Sequence, residues 1–194
     1  LTIFYQINYE DFWLDEMLSF WIANPELSWS ETFQRHKQYD YHNPILFNLS
    51  LKYFLNIFSY NPEIARYLPL IFGSLFLIII GPITYQVKKD DTFLFTTLLV
   101  CISIYTIKYS QEVRPYSLLL LTSALNIYFF LKLCNRESCK RKNTIFFVIF
   151  SAINYSINPF SLIIFFSQIF FISYKYFLFK EKYIQFFISV LFIS

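Results

Sequence analysis

The stretch "IARYLPLIFGSLFLIIIGPITYQ", residues 64–86, decides the class of this protein. Past Arg66 it carries no charge until Lys88, and it is too long and too apolar for a half-buried surface helix. About 18 or more such residues are enough to cross the hydrocarbon layer of a bilayer as an α-helix. Similar runs follow at about 92–108, 115–133, 144–158 and 159–178, and another starts near 184. None shows the period-2 alternation of a barrel strand, so the expected fold is an all-α, multi-span helical bundle.

Composition agrees with that reading. Hydrophobic residues make up 56% and charged residues 15% of the 194 residues, a balance that excludes an ordinary soluble domain. Residues 1–7 read as the exit of an earlier span, and the chain ends inside the apolar run 186–193. The expectation is therefore a fragment: the N-terminal part of one transmembrane domain, with about five spans plus the start of a sixth across 64–194 and further sequence beyond it. Cys101, Cys134 and Cys139 lack the partners of a zinc site and read as free or buried thiols. With two glycines, Gly73 and Gly81, both inside a span, the chain has no phosphate-cradling glycine loop, and nothing in it marks a nucleic-acid partner.

Sidedness follows from the basic connections. Lys88 and Lys89, then Lys132, Arg136, Lys140, Arg141 and Lys142, then Lys175, Lys180 and Lys182 account for ten of the sixteen Lys and Arg residues, all in alternate loops. Those loops are expected in the cytosol. The connections 8–63, 108–115 and 154–159 then face outward. Within the first, residues 44–59 read as an amphipathic helix resting on the outer interface, with Asn48, Lys52 and Asn56 on one face and Leu46, Leu49, Tyr53 and Ile57 on another. That helix serves equally as a connector or as part of a site.

Candidate chemistry gathers on the outward side. Asn61-Pro62, Arg114-Pro115 and Asn158-Pro159 each place a proline at or near the first position of an inward-running helix, where its missing N–H is tolerated. Such helix ends favour anions by about 0.3–1 kcal/mol each. Lys108 and Arg114 add full charges at the same level, which suits a phosphate; snorkelling to lipid headgroups, with Glu112 as surface partner, is the plainer use of the same residues. Asp15-Glu16 follows Phe12-Trp13 and reads either as a carboxylate pair for acid–base work or as the solvated first turn of a helix. His42 stands before Asn43-Pro44 as a structural residue or a candidate ligand.

In this order the segments "FWLDE" (12–16), "HNPILFNLSLKYFLNIFSYNPEIARYLPLIFG" (42–73), "YSQEVRPYSLLLL" (109–121) and "NYSINPFSLIIFFSQ" (154–168) resemble the GT-C glycosyltransferases that use polyprenyl-phosphate sugars. The most similar branch is the bacterial protein O-mannosyltransferase and aminoarabinose-transferase group. Asn158 stands where that group often has His, and Asn43 where it often has Pro. The resemblance implies an inverting transfer of a sugar from a lipid-phosphate donor to the hydroxyl of a glycan, lipid or protein acceptor. It also implies an integral protein of a bacterial inner membrane, with its site facing outward among membrane lipids. Asp15 would be the general base, Glu16 would orient the acceptor or stabilise the site, and Lys108 and Arg114 would meet the phosphate. Gln111, Glu112, Tyr116, His42 and Asn158 fall in the matching segments as further site candidates. No pattern demands a cofactor; a divalent metal is compatible with the group, and its ligands are unassigned.

Two other classes fit the same outline, a transporter or lipid flippase and a non-catalytic subunit that binds lipid-linked sugar. Transport calls for ionisable groups in mid-membrane, whereas here the charges collect at the span edges. A binding subunit would keep the cations and have no need of Asp15.

Overall fold

The computed structural model describes residues 12–41, 43–88, 92–134 and 141–179, all helical or connecting, with no strand among them. The chain divides into two compact units after Pro159. The first contains α1 (Leu14–Ile22), α2 (Trp29–Tyr39), α3 (Leu46–Ile57), the single turn α4 (Pro62–Ala65), α5 (Tyr67–Val87), α6 (Thr92–Cys101), α7 (Ile104–Gln111), α8 (Tyr116–Cys134) and α9 (Arg141–Ile157). The second contains α10 (Leu162–Phe179), which follows a 3-10 turn at Pro159–Ser161.

Local chemistry sets several helix starts. Ser28 opens α2 with a reciprocal cap: its Oγ accepts from the Glu31 N–H at 3.2 Å, and Glu31 Oε2 accepts from the Ser28 N–H at 2.7 Å. Asn61 opens α4 by accepting the Glu63 N–H at 2.8 Å, with Pro62 just inside the helix as expected. The other two prolines also stand at or near helix starts, with small differences. α8 begins at Tyr116, after Pro115, and Pro159 starts a 3-10 turn instead of an α-helix.

Among the described residues two helices are able by length and composition to cross a membrane, Pro62–Val87 with a mean hydropathy of 2.0 and Tyr116–Cys134 with 1.7. The run expected as one span at 92–108 is broken: α6 and α7 meet at 54°, and together they make a third candidate span. The break falls at Ser103, whose backbone is extended. Helix α7 continues to Gln111, so Lys108 and Gln111 lie on a helix and not in a connection. The runs expected as spans at 144–158 and 159–178 form helices α9 and α10, but among the described residues neither is long and apolar enough to cross a membrane. Two or three candidate spans therefore stand where about five were expected; residues 1–7 and the run from 184 lie outside the described residues. Exposed Ile71, Leu75, Ile78, Leu94, Phe95 and Leu98 leave α5 and α6 an apolar outer surface, as lipid contact requires.

The main core joins the outer-loop helices to the start of the bundle. Ala23, Phe47, Leu51, Leu55, Ala65, Leu68, Val113, Leu118 and Ile157 pack together, drawing on α1, α3, α4, α5, α8 and α9. A second cluster of Phe76, Leu121 and Ala124 binds α5 to α8 further along.

Helix α3 corrects the sequence reading. Asn48 and Lys52 are buried, whereas Tyr53, Ile57 and Asn56 are exposed, so only the last member of the polar face meets water and the other two face the protein. Each buried polar group is paid for by a partner. Lys52 Nζ donates to the carbonyls of Asn24 at 2.6 Å and Leu27 at 2.7 Å, and Asn48 Nδ2 lies 3.2 Å from His36 Nδ1 and 3.3 Å from Asp40 Oδ2. Burial pushes the Lys52 ammonium below its ordinary range, and nearby Glu31 opposes that shift.

Candidate functional site

Three segments that are distant in sequence meet at one end of the first unit: the first turn of α1, Arg66 at the α4–α5 junction, and the bend between α7 and α8. The bend is shaped by Pro115, which drives the preceding Arg114 away from helical backbone. The Arg114 N–H donates to the Glu112 carbonyl at 2.8 Å, closing a three-residue turn on Val113. The turn aims the Val113 N–H at Glu16, whose Oε1 accepts it at 2.8 Å across 97 positions of sequence.

Glu16 is buried and held from several sides. Its Oε2 lies 3.6 Å from Arg66 Nη2 and accepts the Trp13 N–H at 3.4 Å. The Arg66 guanidinium also lies 4.9 Å over the Phe12 ring. One carboxylate thus ties α1, the head of α5 and the α7–α8 bend together.

Asp15 stands beside it with a different exposure. Its side chain is 42% exposed, while that of Arg114, whose Nη2 lies 3.5 Å from Asp15 Oδ2, is only 8% exposed. Arg114 Nη1 reaches the Asp15 carbonyl at 3.4 Å and Ser19 Oγ at 3.5 Å, both at the outer limit of a hydrogen bond. The Arg114 Nε has no hydrogen-bond partner among the described residues. A buried guanidinium held by long contacts next to a solvent-reachable carboxylate is able to take up an anion.

The remaining described candidates lie on α7, in the bend after it, at the start of α8 and at the end of α9. Lys108 is 66% exposed and lies 3.5 Å from Glu112 Oε1. Burial pushes the Glu112 carboxyl above its ordinary range, Lys108 opposes that rise, Glu16 adds to it and Arg114 counters it. Tyr116 opens α8 with its ring 4.8 Å from that of Tyr109, and Gln111 ends α7. Asn158 closes α9 by donating its N–H to the Asn154 carbonyl at 2.9 Å. His42 lies outside the described residues. Among the described residues no three His, Cys, Asp or Glu side chains gather closely enough to hold a metal ion.

Sequence reasoning singled out neither Arg66 nor Ser19 as a site residue. Arg66 did carry a signal, being the last charge before an apolar run of more than a dozen residues. Ser19 carried none, because its Oγ matters only by donating to the Asp15 carbonyl at 3.1 Å and lying against Arg114. Comparison with known proteins found no matching family model, no matching curated protein and no matching solved structure.

Proposed function

We propose that the chain is part of a multi-span GT-C-type glycosyltransferase that moves a sugar from a polyprenyl-phosphate donor to an acceptor hydroxyl on the outer side of the membrane. The observation that carries the reading is the pairing of part-exposed Asp15 with buried Arg114. Asp15 takes the proton of the acceptor hydroxyl as its oxygen bonds to the anomeric carbon. The bond from that carbon to the phosphate oxygen breaks on the opposite face, which inverts the centre and releases polyprenyl phosphate. Arg114 and exposed Lys108 meet the charge gathering on the phosphate. A phosphate drawn onto Arg114 also leaves the Asp15 carboxylate without its cation, so donor binding prepares the carboxylate to accept a proton. Glu16, with both oxygens engaged, takes the positioning role and not contact with the acceptor.

The test is transfer from a labelled polyprenyl-phosphate sugar by the full chain in membranes. Asp15→Asn should abolish transfer while leaving membrane insertion and donor binding intact. Turnover at the wild-type rate in that variant removes Asp15 from the base role. Donor binding without any transfer by the wild type points to a binding subunit instead.

A further inference from the structure

Far from Asp15 and Arg114, the ends of α5 and α8 line with α6 an open cavity of about 490 Å3. Lys132 lies about 24 Å along α8 from Tyr116, at 1.5 Å per residue. The cavity therefore sits near the opposite edge of the apolar layer, the one expected to face the cytosol. Tyr85, Phe93 and Tyr128 supply aromatic walls, Gln86 an amide and Lys132 a cation, and among the described residues none of the lining is acidic. Tyr85 and Phe93 meet edge to face at 6.0 Å, and Lys132 Nζ lies 4.3 Å above the Tyr128 ring. A Cβ at Gly81 would meet Thr97 Oγ1 at 3.7 Å and Phe93 at 3.8 Å, ordinary contact distances, so only a side chain longer than alanine would fill the space.

Tyrosine rings beside a lysine, at the end of helices long enough to cross a bilayer, match the chemistry of the headgroup level. We propose that this cavity binds an anionic phospholipid, with the lipid phosphate on Lys132 and the first part of the acyl chain against Tyr85, Phe93 and Tyr128. The charge selectivity rests on Lys132. The C-terminal ends of α5 and α8 carry partial negative charge and by themselves repel an anion. A zwitterionic headgroup brings its own cation to a site that already holds one. Lys132 also suits the C-terminus of α8 as a simple cap, so the test separates headgroup binding from helix stabilisation.

The full chain, purified in detergent, is titrated with phosphatidylglycerol or phosphatidylcholine while thermal unfolding is followed. Phosphatidylglycerol should raise the midpoint well beyond phosphatidylcholine. Lys132→Gln should weaken the apparent affinity for phosphatidylglycerol about fivefold, the contribution of one lysine near an anionic surface. The phosphatidylcholine response should not change. Gly81→Leu, which fills the cavity and keeps the lysine, should weaken it as well. Equal responses of the wild type to both lipids overturn the proposal, as does an undiminished phosphatidylglycerol response in Lys132→Gln. Inorganic phosphate reproducing the shift would make the site one for free anions and overturn the lipid assignment. None of these readouts depends on sugar transfer.

Discussion

The guanidinium of Arg114 lies 3.5 Å from the carboxylate of Asp15 although 99 positions of sequence separate the two residues. Beside them, Glu16 turns inward to Arg66 and the Val113 N–H. Adjacent carboxylates on one helical turn thus have opposite surroundings, one open to solvent and one sealed. That division separates a residue able to do chemistry from one that holds the site in place.

Arg114→Ala should raise the KM for a lipid-phosphate donor by tenfold or more, about 1.4 kcal/mol or greater, and leave the KM for the acceptor nearly unchanged. Arg114→Lys should recover only part of the loss, because an ammonium lacks the planar pair of donors. Steady-state kinetics with the donor varied at fixed acceptor measures this. An unaltered donor dependence would leave Arg114 as a structural partner of Asp15 and Ser19.

Glu16→Gln should destabilise the protein by about 3 kcal/mol, since removing one charge of a buried ion pair takes the nearby carboxylate from Arg66 and leaves the pair's desolvation cost unopposed. Pairing it with Arg66→Met should restore much of the stability. Thermal unfolding in detergent reports both, and additive losses in the double variant would show that the two side chains do not interact.

Gly73→Ala should destabilise by about 1–3 kcal/mol, the usual range for overpacking. A Cβ at Gly73 would overlap both Oγ and Cβ of buried Ser110 on α7. Ser110→Ala in the same chain should therefore rescue poorly and Ser110→Gly well. Because α7 leads directly into the bend at Arg114, Gly73→Ala should also reduce donor binding in a variant that still inserts.

Glu112 predicts a pH dependence of known sign. Its carboxyl is raised above the ordinary value of 4.5, with burial as the largest cause. Between the unfolded and folded pKa the folded state binds more protons, so stability falls as pH rises through that window. The loss is complete above the folded pKa and absent below the unfolded one. Unfolding midpoints measured from about pH 4 to about pH 7 should decline for this component, and Glu112→Gln should flatten it. A profile identical in the two proteins would mean the carboxyl titrates alike in both states.

Much of the helical outline was legible in the sequence. The run at 64–86 emerged as α5, and that at 115–133 as α8, because about 20 apolar residues without charge leave few alternatives to a helix. The Asn61-Pro62 start was legible for an equally local reason: its cap is made within two residues. Periodicity misled at α3. A repeat of Asn48, Lys52 and Asn56 marks one helical face, and it does not say whether that face meets water or the carbonyls of Asn24 and Leu27.

The candidate site divides along the same line. Sequence by itself determined which ionisable groups stand at the edges of apolar helices, since charges at those positions follow from the cost of burying them in lipid. Only the tertiary structure decided that Glu16 pairs with Arg66, that Asp15 stays accessible beside Arg114, and that a 54° break turns α7 toward the bend. Contacts between residues so far apart along the chain leave no trace in local pattern. They exist because the helices that carry them share one buried core around Val113, Leu118 and Ala65.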